Sequence, residues 1–116
     1  MTKVGEHITL DIIGTIKEYE PKFFEKLVYK IAKKAKVTVL EISKYKFEPQ
    51  GFTLVALLSE SHFSFHTFPE RGVISFDFFT CGKVNPKVAL KILRKEIDHQ
   101  RVVTVSYTHL TLPTRS

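Results

Sequence analysis

The spacing of hydrophobic positions changes several times along the chain, and each change predicts an element. Ile8-Thr-Leu-Asp-Ile-Ile13 reads as a strand closed by Gly14. The period then lengthens. Phe24, Leu27, Val28, Ile31 and Ala35 recur at helical spacing and predict a helix over Pro21–Ala35 with this face on a sheet; Pro21 suits its first turn. A second strand is expected to begin at Val37–Ile42, and Pro49-Gln-Gly51 reads as a turn. Phe52–Leu58 is largely apolar and predicts a central strand. His62–Phe68 alternates, so Phe63 and Phe65 share one face while His62, Ser64 and His66 share the other. Pro69–Gly72 is a turn and Val73–Phe79 another strand. Asn85 reads as an N-cap, with Pro86 opening a helix that runs to about Asp98 and turns Val88, Ile92, Leu93 and Ile97 inward. Arg101–Val105 starts a last strand. The order strand, helix, four strands, helix, strand predicts an α+β fold. Its form is a two-layer sandwich with a mainly antiparallel sheet and both helices on one face.

Composition narrows this picture. At 116 residues the chain fits one small domain. Ten phenylalanines and no tryptophan point to aromatic packing between sheet and helices. No apolar run is long enough to cross a bilayer, and the first residues lack a signal-peptide pattern. The single cysteine excludes an intrachain disulfide, so a cytoplasmic setting is expected. A net charge of +6 raises the question of a nucleic-acid partner. Much of the excess lies in Lys26–Lys36, where lysines share a helix with a regular apolar face, which reads as a solvated basic surface. There is no zinc-finger spacing and no aromatic stacking platform. No nucleic acid, membrane or metal is expected as a partner.

The last residues read differently from the rest. Val105-Ser-Tyr-Thr-His-Leu-Thr-Leu-Pro-Thr114 resembles the translation of a transposase adapter used in sequencing libraries. The expectation is a natural domain over residues 1–104, with 105–116 as adapter read-through, and no function is assigned to His109, Pro113 or Arg115.

The chemistry concentrates in Leu58-Ser-Glu-Ser-His-Phe-Ser-Phe-His-Thr-Phe-Pro-Glu-Arg-Gly72 and Asp77-Phe-Phe-Thr-Cys-Gly82. A serine hydroxyl can attack the carbonyl of the residue before it and form an ester. β-Elimination then breaks the chain and leaves dehydroalanine, which hydrolyses to a pyruvoyl group. That ketone forms a Schiff base with a substrate amine and takes up electrons as carboxylate leaves. Glu60-Ser61 could support such a reaction, although most serines beside a glutamate are surface or capping residues. His66, on the polar side of its strand, could shuttle protons, or be an ordinary hydrogen-bonded strand histidine. His62 reads as structural. Cys81 could donate the proton that replaces CO2, or be a half-buried structural thiol; the helix at Asn85 is too far away to activate it with confidence. Glu70, in the turn after Pro69, is by itself an ordinary solvated carboxylate.

Their joint order is more specific. His-Phe-Ser-Phe-His-Thr-Phe-Pro-Glu-Arg-Gly and Phe-Phe-Thr-Cys-Gly resemble the short, prokaryotic S-adenosylmethionine decarboxylase family, which is pyruvoyl-dependent and belongs to polyamine biosynthesis. The resemblance runs from Gly5-Glu-His7 to Val103. It implies a proenzyme cleaved between Glu60 and Ser61, giving a β chain of residues 1–60 and an α chain that starts with the pyruvoyl group made from Ser61. It implies His66 for self-processing with Thr53 assisting, and Cys81 as proton donor. Glu70 would hold the ribose hydroxyls, Phe47 would stack on adenine and Leu58 would give apolar backing. It also implies a homodimer of αβ units with sites at the interface, and S-adenosylmethionine as substrate for spermidine synthesis.

Three departures stand out. Phe68 replaces a usual Trp, Arg71 a usual Tyr, and Thr53 a common Ser. None removes a reacting group. A cation at Arg71 would sit poorly beside a sulfonium, so arginine or ornithine stays open as substrate on the same scaffold. A non-catalytic regulatory subunit and a basic nucleic-acid-binding domain are the readings from other classes.

Overall fold

A computed structural model describes residues 2–15, 17, 19–59, 61–81 and 85–112, with residues 2–4, 81 and 106–112 described by their backbone alone. The strands are β1 (Thr2–Ile13), β2 (Val39–Lys46), β3 (Phe52–Leu58), β4 (Ser61–Phe68), β5 (Val73–Cys81) and β6 (Arg101–Leu112), and the helices are α1 (Pro21–Ala35) and α2 (Lys87–Glu96). They form a six-stranded sheet in the order β2-β3-β4-β5-β1-β6. Every neighbouring pair is antiparallel. This is the two-layer α+β sandwich that the hydrophobic pattern predicts.

The alternation of β3, β4 and β5 sends Leu54, Ala56, Phe63, Phe65, Phe76 and Phe78 to one face, where each is at most 2% exposed. Phe24, Val28 and Ile31 of α1 and Ala89 and Leu93 of α2 close over them in one cluster. The phenylalanines interlock: Phe24 lies 4.8 Å from Phe65 and 5.2 Å from Phe52, and Phe63 lies 5.2 Å from Phe78. Truncating any of these rings to alanine would cost about 3–5 kcal/mol.

Several boundaries differ from the sequence reading; β4 begins at Ser61 rather than His62, and β5 runs past Phe79 to Cys81. β1 begins six residues earlier than Ile8, because its first half is held by backbone pairing to both β5 and β6 rather than by alternation. β2 spans Val39–Lys46 instead of beginning at Val37. Lys36 takes the left-handed conformation at the end of α1, and the Val37 N–H is used on the Ala32 carbonyl, so Val37 completes the helix stop. α2 ends at Glu96, before Asp98, because Ile97 is already extended. Its start lies one residue later than read, at Lys87 with Pro86 in the N-cap position, while Asn85 Oδ1 accepts the Lys87 N–H at 2.9 Å. The β1–β6 ladder has an irregularity between Thr9↔Ser106 and Leu10↔Thr104, which leaves Val105 between registers.

No helix among the described residues is long and apolar enough to cross a membrane. The sheet face opposite the helices carries Thr53, Val55, Leu57, His62, Ser64, His66, Ser75, Asp77 and Phe79. Val55 and Leu57 are 38% and 47% exposed there, so this face mixes apolar and polar side chains without a covering layer among the described residues.

Candidate active site

The structure divides the candidate residues into two groups. The first is a row across four strands: Leu58 opposes Ser61, Ser61 opposes Thr80, and Thr80 opposes Glu6. Directly opposed residues share a face. This row lies on the helix side, at the edge of the aromatic core. Leu58 is buried there, opposite Ser61. Ser61 is 8% exposed and Thr80 1%. Neither Ser61 Oγ nor Thr80 Oγ1 has a hydrogen-bond partner among the described residues. A buried hydroxyl left this way costs about 1–3 kcal/mol. Glu60 lies outside the described residues. The backbone of Cys81 ends β5 opposite Gly5, one position beyond Thr80, and its side chain lies outside the description. Gly5 is required by close approach, since a Cβ there would lie 2.3 Å from the Thr80 carbonyl oxygen.

The second group lines a cavity of about 330 Å³ formed by Phe47, Gln50, Thr53, His66, Phe68 and Glu70 with their neighbours. Thr53 and His66 oppose each other on β3 and β4, and Thr53 Oγ1 and His66 Nδ1 share a hydrogen bond of 2.9 Å. The β2–β3 loop carries Phe47. It is closed by a 2.8 Å bond from the Phe47 N–H to the Gly51 carbonyl, and Gly51 has the positive φ of 90° that favours glycine. Glu70 sits in a short 3-10 turn at Pro69–Arg71 and accepts a 3.3 Å bond from Gln50 Nε2. Four residues that the sequence singled out, Phe47, Thr53, His66 and Glu70, therefore meet in one cavity. Phe47 and Phe68 leave 48% and 40% of their surface open, offering ring faces to a flat base or a cation. Arg71 is exposed in the turn and is not among the cavity's lining residues.

The two groups are not brought together within one chain. Ser61 and His66 lie five positions apart on β4 and on opposite faces of the sheet. At about 3.3 Å per residue the separation along the strand is about 16 Å. His62 stacks on Phe79 at 5.5 Å, in keeping with its structural reading. Sequence reasoning missed Thr80 and Gln50. Thr80 was visible only as the continuation of Phe76 and Phe78 at period two, and its place opposite Ser61 needed the β4–β5 register. The open face also carries a His7–Asp77 pair and a 2.7 Å bond from Ser75 to Asp11 that periodicity does not reveal. Among the described residues no group of three His, Cys, Asp or Glu could hold a metal.

The comparisons with known proteins fall on this arrangement. The family model described as S-adenosylmethionine decarboxylase matches residues 6–109. An S-adenosylmethionine decarboxylase proenzyme of Prochlorococcus marinus (strain MIT 9313) is 40% identical over 111 residues, covering 93% of this chain and 89% of that protein. One from Clostridium kluyveri is 42% identical over 101 residues, covering 84% and 80%. The crystal structure of the adenosylmethionine decarboxylase from Aquifex aeolicus VF5 superposes with a TM-score of 0.85 at 26% identity, covering 100% of this chain and 98% of that one.

Proposed function

The chain belongs to the S-adenosylmethionine decarboxylase family, and from that premise we propose a self-processing decarboxylase whose two half-sites are those described above. Its reaction removes CO2 from S-adenosylmethionine, and the product supplies aminopropyl groups for spermidine. The relatives named as proenzymes, the Glu60-Ser61 bond and the uncommitted Ser61 hydroxyl support self-cleavage before residue 61. A serine serving only the fold would be expected to have its buried hydroxyl bonded. Ser61 in the Leu58–Thr80 row fits the precursor of a pyruvoyl group. That group, once formed, supplies a carbonyl electron sink for carboxylate loss from an amine substrate.

The remaining roles fall to the chain's own side chains. His66 Nδ1 is held by Thr53, which orients the ring so that the other nitrogen can carry a proton during processing. Phe47 and Phe68 form the walls that receive the adenine and the sulfonium. Glu70, steadied by Gln50, accepts the ribose hydroxyls. Cys81, next to Thr80 at the end of β5, gives its thiol proton to the substrate carbon. Arg71, exposed outside the cavity lining, does not oppose a sulfonium in the way its sequence position implied. The about 16 Å between Ser61 and His66, on opposite faces, supports a homodimer of αβ units in which the cavity of one protomer serves the Ser61 row of its partner. The lone cysteine fits a reducing cytoplasm.

The observation that carries the reading is the meeting of Phe47, Thr53, His66 and Glu70 in one cavity. Intact mass under denaturing conditions tests it, beside a Ser61→Ala control. The expected result is two fragments divided at Glu60/Ser61, the C-terminal one lighter by ammonia, and an uncut control. A single uncut chain in both samples would favour the regulatory-subunit reading. Release of CO2 from S-adenosylmethionine, in competition with arginine and ornithine, then settles the substrate.

A further inference from the structure

We propose that Thr80 is a positioning residue for self-cleavage, holding the Ser61 hydroxyl for its attack on the Glu60 carbonyl. The inference rests on the self-processing reading and deepens it. Thr80 and Ser61 are directly opposed on β5 and β4, so their side chains share a face with Cβ atoms about 4.5–5.5 Å apart. At that separation a rotation about χ1 brings one hydroxyl within hydrogen-bond reach of the other. Both are buried, and both hydroxyls lack a partner among the described residues. Two unsatisfied buried hydroxyls facing each other are rare in a fold where neither has further work. Water competes poorly here, because the row is bounded by Leu58 on one side and underlain by Phe78 and Phe63. Thr80 is also the stiffer partner, since its branched Cβ restricts χ1.

The step assigned to this pair is the acyl shift. Ser61 Oγ attacks the carbonyl carbon of Glu60; a C–O bond forms, the C–N bond breaks, and the hydroxyl proton ends on the freed nitrogen. Thr80 Oγ1 accepts the Ser61 O–H until that proton departs, which leaves an Oγ lone pair free to face the carbonyl. Thr80 is unchanged by the step. It takes no part in the elimination that follows, where the Cα proton is lost and the Cβ–O bond breaks to release the Glu60 carboxylate.

The test follows cleavage of the full chain with time after cell-free synthesis, read by denaturing mass spectrometry. Wild type, Thr80→Val, Thr80→Ser and Ser61→Ala are compared with and without hydroxylamine, which cuts an accumulated ester. Valine keeps the volume and branching but removes the hydroxyl. Thr80→Val is expected to cleave at least about tenfold more slowly, the loss of an oriented attack. Hydroxylamine should not restore the cut, because no ester has formed, and Thr80→Ser should cleave like wild type. Cleavage of Thr80→Val at the wild-type rate overturns the proposal. So does a slow variant that hydroxylamine cuts, since the defect then follows ester formation. Should circular dichroism show that valine disturbs the fold, Thr80→Ser against Thr80→Ala decides: serine must restore cleavage and alanine must not. An uncut wild type overturns the self-processing reading itself, and this proposal with it.

Discussion

Thr53 and His66 show how much chemistry depends on a single register. They face each other across β3 and β4, and their 2.9 Å bond fixes which imidazole nitrogen is free. Thr53→Val keeps the shape of the side chain and loses only the bond, so folding should be little affected. Processing should slow by about tenfold or more, as for a proton-transfer group that has lost its orientation. A time course of chain cleavage, with a thermal melt as control for folding, checks this; an unchanged rate would remove Thr53 from the processing machinery. Sequence pattern found these residues in different ways. His66 was legible as the polar partner of Phe65 in an alternating strand. Thr53 lay inside an apolar run, and its link to a histidine thirteen positions away is a property of the register, not of local spacing. Thr80 was hidden for the same reason. The Ser61–His66 separation was hidden more deeply, because residues five apart in a motif seem adjacent until strand geometry sends them to opposite faces.

Elements were legible where burial dictates periodicity and obscure where backbone pairing does. The apolar stripe of α1 and the alternation of β4 are consequences of facing a core, and both appear in the structure as expected. The first half of β1 and the second half of β2 carry no such stripe, since they are set by ladders to β5, β6 and β3. The outer faces of the helices follow a different pattern. Lys22, Lys26, Lys30 and Lys34 recur every fourth residue on α1, as do Lys87, Lys91 and Lys95 on α2, and all are exposed. Like charges at this spacing destabilise a helix by about 0.2–0.5 kcal/mol per pair. Lys30 is partly relieved by Glu96, whose carboxyl is held below its ordinary range first by that hydrogen bond. The contribution is present above the ordinary carboxylate pKa and lost as pH falls through the depressed one. Lys26→Glu should therefore stabilise the protein by about 1–2 kcal/mol at low salt, by turning two repulsive pairs into attractive ones. Melting curves at low and high salt check this. The gain should shrink as salt rises, and a gain independent of salt would mean that another cause is at work.

The whole molecule is layered by charge as well as by structure. Its helices hold nine cations against two carboxylates, a surplus of seven, while the entire chain carries +6. The sheet and loops therefore carry a slight negative balance, favourable for a cationic substrate. A two-fold arrangement uses the same patch on both protomers, so any residue that one copy gives its partner is returned at a second site. This makes the composite site testable through mixtures. A chain carrying Ser61→Ala has an intact cavity but nothing to cleave, whereas a chain carrying His66→Ala keeps its Glu60-Ser61 bond but lacks the imidazole. Each alone should remain uncut. If the proposed dimer forms, co-expression should give mixed dimers in which the Ser61→Ala protomer lends His66 to its partner, and only the His66→Ala chain should be cleaved. Different affinity tags distinguish the chains by mass. If Ser61 and His66 act within one chain, mixing restores nothing, and the about 16 Å between them must be closed by a rearrangement of β4 itself.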